Sequence, residues 1–104
     1  MLFRSVGAAA AVMEGMDQTQ HLMLNHLIDF SADGESATCV CNLVAEHLLA
    51  GEGDPTSTTR GIYRDRFVRT ADGWRITHRI LQVTWREGNL GIFEVALRRS
   101  GALA

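Results

Sequence analysis

Only two cysteines, one proline and one tyrosine occur among these 104 residues. No apolar run reaches the roughly 18 to 20 residues of a membrane span. The two thiols, Cys39 and Cys41, sit two apart on a predicted strand, so their side chains share a face. That is poor disulfide geometry and, without further Cys or clustered His, poor zinc spacing. Buried reduced thiols and no bound metal are expected, which suits a cytoplasmic location. Charge of one sign is also scarce: the formal net charge is -2 and the pI about 6.0. Such a balance gives no field to gather nucleic acid or anionic lipid, so neither is an expected partner. Arginines cluster from Arg60 to Arg86, but Asp65, Asp72 and Glu87 interrupt them, as on a solvated strand face. There is no glycine-rich phosphate loop, no Ser-His-Asp order and no nucleophile elbow.

What is present describes a soluble globular chain, with 46% hydrophobic and 21% charged residues. Its length fits one domain, residues 1–104. Leu2-Phe3-Arg4-Ser5 is what a common sequencing adapter encodes in one frame. Those residues are left out of the fold reasoning, and the natural gene is expected to begin upstream. The short alanine-rich stretch after Arg4 lacks a leucine-rich core, so it does not read as a signal peptide.

Residues 6–16 are strong helix formers closed by Gly15. From 19 to 88 the pattern becomes that of strands. Ser31-Ala-Asp-Gly34 is turn chemistry, and Gly51 to Thr58 is a loop holding the one proline. The strongest local signal follows. Gly61-Ile-Tyr-Arg-Asp-Arg-Phe-Val-Arg-Thr70 and Trp74-Arg-Ile-Thr-His-Arg-Ile80 flank Asp72-Gly73, a hairpin signature. So many charges among strand residues imply one wet face or a polar cavity. The tail, 89–104, has weak pattern, with a short strand or helix possible over 91–98. The fold class is therefore α+β: a short N-terminal helix and a curved, four-stranded antiparallel sheet.

His21 and His47 are the candidate chemical groups. Pairing around Asp33-Gly34 sets position i opposite about 67 minus i, placing His21 across from Glu46, beside His47. Two histidines on one face can act as acid and base near neutral pH. A hydrogen-bonded pair in a polar interior fits the same spacing. Asn25 is expected on the face of His21, able to donate to a substrate carbonyl, and equally able to be a plain sheet amide. His26 points the other way. Tyr63 and Asp65 alternate onto one face, the first offering a phenol, the second a carboxylate that could instead pair with a neighbouring-strand Arg. Met23 and Trp85 add apolar surface. Trp74, Ile76, His78 and Ile80 are expected to alternate onto one core-facing side.

These motifs, taken in order, resemble a known family. Thr19-Gln20-His21-Leu22, Asn25-His26-Leu27-Ile28, Asp33-Gly34, Ala37-Thr38, His47, Gly61 to Arg66 and Asp72 to Arg79 are similar to SnoaL-like proteins. These belong to the nuclear transport factor 2-like superfamily, near scytalone dehydratase. The resemblance covers about residues 7–95 and implies a cone of helices closed by a curved sheet over a deep pocket. It implies that His21 and His47 correspond to the two catalytic histidines, the second if one residue is inserted in the first hairpin. Tyr63 falls near a substrate-contacting asparagine and does not match it. The family's aspartate and orienting tyrosines lie on N-terminal helices that this sequence lacks.

The expected activity is a cofactor-independent dehydratase, isomerase or hydratase acting on a small molecule. His21 and His47 would move protons, and Asn25, Tyr63, Asp65 and Met23 would contact substrate. The rival is a non-catalytic binding or assembly module, such as an oxygenase small-subunit-like protein. A homodimer through the sheet is also expected, from outward residues Val40, Val68, Leu81, Val83 and Trp85 mixed with arginines.

Overall fold

Two short helices bracket four long strands. The computed structural model describes residues 6–51 and 53–101, so the adapter-like residues 2–5 lie outside the described part. Helix α1 spans Val6–Gly15 and α2 Ile92–Arg99, with β1 Gln18–Phe30, β2 Ser36–Leu48, β3 Thr56–Thr70 and β4 Gly73–Gly88 between them. The strands form one antiparallel meander in the order β1-β2-β3-β4. The weakly patterned tail thus holds a helix. Its apolar Ile92 and Ala96, one turn apart, are buried, and Glu94 pairs with Arg98 at 2.8 Å on the exposed side.

Local chemistry builds the hairpins. In the first, the Ser31 hydroxyl donates to Asp33 at 2.6 Å, Asp33 accepts the Glu35 amide at 3.0 Å, and Gly34 takes φ 73°. In the second, Asp72-Gly73 is present but does not form the mirror-image turn that requires positive φ at both central residues. Among the described residues Asn25 is the only non-glycine with positive φ, whereas Gly73 has φ 102°. The loop is Ala71-Asp72, and Gly73 opens β4.

Strand β2 carries the clearest alternation. Ala37, Cys39, Cys41, Leu43, Ala45 and His47 are buried, while the intervening residues are exposed or half-buried. The buried side is the inner face. Both cysteines lie on it as free thiols, and burial comes first among the causes that push their pKa values up.

Three bulges alter the expected register. On β1 the sum of paired positions is 67 near the turn (Leu27↔Val40) but 66 beyond it (Leu24↔Asn42), so Asn25 and His26 share one partner position. Asn25 takes φ 59° there, a conformation its short amide side chain tolerates better than most. His21 therefore lies opposite Ala45 rather than Glu46. Plain alternation no longer assigns Asn25 to the face of His21.

On β4, Thr77 and Thr84 are the inserted residues. Their hydroxyls donate to the Arg66 carbonyl at 3.3 Å and the Arg60 carbonyl at 2.9 Å. Each insertion flips the strand's parity. Ile76 therefore faces inward while His78 and Ile80 face outward, correcting the single-sided reading of Trp74 to Ile80. Leu81 and Val83, expected on the outer face, pair with Tyr63 and Gly61 and face inward.

The helices cover only one end of the inner face. Met16, Leu49, Ile92 and Ala96 form a small core there, with Val12 and Phe93 packed against it. Gly15 makes this possible, since a Cβ at that position would collide with the Ala96 carbonyl. A second cluster, Leu43, Ala45 and Leu81 with Tyr63 and Val83, lies along the sheet itself. Beyond it the inner face is open, and Ile28, Phe30 and Ile76 remain exposed.

Candidate functional site

The covered end of the inner face holds both candidate histidines. His47 pairs with Thr19 and His21 with Ala45, which makes the two imidazoles diagonal neighbours on one face. Their ring centroids are 5.5 Å apart in an edge-to-face arrangement. Phe93 of α2 packs edge-to-face against His47, with ring centroids 5.0 Å apart. His47 is 8% exposed, whereas His21 stands on the open strand β1. The Nδ1 atom of His47 and the hydroxyl of Ser57, its partner residue on β3, are buried without a hydrogen-bond partner among the described residues.

Burial holds both imidazoles below the ordinary 6.5, and for His47 the neighbouring His21 adds to the effect. Each is therefore neutral at pH 7 and able to accept a proton. The unfolded chain takes up protons near pH 6.5, while the folded chain resists until lower pH, so stability is present above 6.5 and lost on acidification. Unfolding free energy measured in urea should fall from pH 7 to pH 5. The His47→Gln variant should show a shallower fall, and equal slopes would remove His47 as a source.

Further along the same face lies a second polar group. Asp65, 4% exposed, accepts two hydrogen bonds from Arg79, through Nε and Nη2, each 2.8 Å long. The guanidinium lies 4.2 Å from the centroid of the Tyr63 ring. Donating to Asp65 raises the pKa of Arg79, and burial pushes the Tyr63 phenol up. Asp65 is thus in the Arg pair that its sequence position allowed.

Tyr63 is level with Cys41 on β2, and His21 with Ala45. Four strand residues separate those levels, about 13 Å at roughly 3.3 Å per residue. Met23 lies between them. His21, His47 and Met23 are thus gathered at one end, with Tyr63 a small-molecule length away and Asp65, level with Cys39, two strand residues further.

Patterning did not mark Phe93 or Arg79. The Ile92-Ala96 and Glu94-Arg98 spacings could have revealed the helix that carries Phe93, whereas a bulge hides the face of Arg79.

The resemblance implied a deep pocket. Among the described residues the histidines instead share an open inner face, because α1 and α2 reach over only one end of it. The cavity touching His47 is a cleft of about 180 Å³ where β1, β2 and β3 end, bounded also by Gln18, Thr19 and Glu46. No three His, Cys, Asp or Glu side chains among the described residues form a metal-binding group.

The model of the SnoaL-like domain matches residues 4–80. The chain belongs to the SnoaL-like family. Its fold is the nuclear transport factor 2-like α+β fold, seen also in solved structures. The Kfla4162 protein of Kribbella flavida is 29% identical with a TM-score of 0.70, over 86% of this chain and 60% of that one. A candidate scytalone dehydratase from Novosphingobium aromaticivorans is 26% identical with a TM-score of 0.63, over 69% of this chain and 47% of the other. A candidate aromatic ring hydroxylase from the same organism shares the fold at 19% identity and TM-score 0.68, over 84% of this chain and 59% of the other. This SnoaL-like chain thus spans about half to three-fifths of the length of these structures. No curated protein is similar enough in sequence to count as a relative. No helix among the described residues is long and apolar enough to cross a membrane.

Proposed function

We propose that this SnoaL-like chain carries the proton-transfer end of a cofactor-independent dehydratase, isomerase or hydratase for small carbonyl compounds. The observation that carries the reading is the 5.5 Å pairing of His21 and His47 on the inner face. Two imidazoles within reach of one ligand, both neutral at pH 7, can take a proton from an activated carbon and return one to oxygen. The more exposed His21 meets the substrate first. His47 is desolvated, so its charge state responds more strongly to what binds. Met23 supplies apolar wall beside them. Asn25, Tyr63 and Asp65 contact only a substrate that extends along the strands. The name of the dehydratase-like structure at 26% identity agrees with this chemistry.

Deuterium exchange tests it directly. In D2O at pD 7.5, 2-tetralone should take up deuterium at its activated carbons faster with protein than in buffer, as followed by NMR. Exchange at the buffer rate would leave the open, apolar inner face as a binding surface and favour the non-catalytic module.

The outer face of the sheet is proposed to pair with a second copy. With Leu81 and Val83 turned inward, its apolar residues include Val40, Val68, Ile80 and Trp85, the last two 50% and 52% exposed, and Leu22, Leu24 and Leu27 of β1. Arg60, stacked over Trp85 at 4.2 Å, adds a polar rim. Sedimentation at low micromolar concentration should show a dimer that Ile80→Arg converts to monomer. A concentration-independent 11.4 kDa species in the parent chain would overturn the pairing.

A further inference from the structure

The inner face carries more positive than negative charge. Arg69, Arg79 and Arg86 lie on it, whereas Asp65 is its one strand carboxylate. Arg69 stacks on Trp74 at 5.2 Å, and Arg86 lies 5.5 Å from the Phe93 ring while donating to Thr59 at 3.2 Å. Arg79 differs from both in how it is held. Asp65 occupies the side formed by Nε and Nη2, and Tyr63 supports the guanidinium plane. Its outer fork, the N–H groups of Nη1 and the second N–H of Nη2, has no partner among the described residues. An oriented guanidinium with one fork open matches a planar pair of oxygens. Between this fork and the histidines run Leu43, Leu81 and Val83, an apolar floor beside Tyr63.

We propose that Arg79 anchors the carboxylate of an elongated ligand whose apolar body lies on Leu43, Leu81 and Val83 and whose far end reaches His21 and His47. The ligand class is an amphipathic carboxylic acid with a long apolar body, because Arg79 and Asp65 are level with Cys39, six strand residues or roughly 20 Å from the Ala45 level of His21. The inference rests on the proton-transfer reading only for what happens at the histidine end. Asp65 orients the guanidinium but also offsets its charge. Removing that charge while keeping a hydrogen-bond acceptor should therefore strengthen the anchor.

The test measures binding without turnover, so it stands or falls apart from the exchange experiment. Fluorescence titration with 4-(1-pyrenyl)butyrate and with its methyl ester should show the acid bound at least tenfold more tightly. Arg79→Gln should reduce the acid to the affinity of the ester. Asp65→Asn should tighten the acid at least threefold and leave the ester unchanged, and this arm decides if Arg79→Gln does not fold. Equal binding of acid and ester overturns the proposal. So does an acid preference that survives Arg79→Gln, or Asp65→Asn binding the acid no more tightly than the parent chain.

Discussion

Replacing His47 by Gln should slow exchange or turnover of a carbonyl substrate by about 10²- to 10⁴-fold, the range of a positioned general acid or base. His21→Gln should fall in the same range. The decisive result is the double variant. Groups that act as a unit are not additive, so losing both should cost little more than the worse single loss. Two independent residues would instead multiply their effects. The 5.5 Å ring separation and the influence of His21 on the His47 pKa give the physical reason to expect a unit. Urea unfolding of each variant separates chemistry from folding. Single losses below tenfold in folded protein would remove both residues from the mechanism.

Replacing Arg79 by Ala should lower stability by about 3 kcal/mol, the lower end for breaking a buried ion pair. The low end applies because the Arg79 side chain is 34% exposed, so water reaches that half of the pair. The Asp65 side chain is only 2% exposed. Without Arg79 it is left as a carboxylate among Cys39 and its apolar neighbours, with its two charge-assisted hydrogen bonds gone. The reverse change is milder. In Asp65→Ala the guanidinium can swing toward solvent, so the loss should be about 1 to 2 kcal/mol. Chemical denaturation of the two variants checks the order. An Asp65→Ala loss equal to or above that of Arg79→Ala would show that the carboxylate is not the stranded partner.

Local interactions are what the residues declare by themselves. Ser31, Asp33 and Gly34 specify the first hairpin because their side chains and backbone freedom act within five residues. The β2 alternation from Ala37 to His47 is legible for a similar reason: one face must be buried, and period two is the only way a strand can do so. The family motifs follow that pattern and carry the fold with them. The second hairpin is only partly legible, since Asp72-Gly73 marks the turn while its geometry places Gly73 in the strand.

The bulges at Asn25, Thr77 and Thr84 belong to the other class. A bulge relieves a mismatch between two strands, so its position depends on the partner as much as on its own residues. Each one reverses which side chains face inward. That is why Ile80, Leu81 and Val83 could not be placed from β4 alone, and why His21 is opposite Ala45 instead of Glu46. The same holds for Phe93 against His47 and Arg79 against Asp65, contacts between residues 46 and 14 positions apart. Composition, turn chemistry and period two determined an α+β sheet with two histidines on its first hairpin. Only tertiary pairing decided that those histidines meet on the inner face, because facing is a property of paired strands.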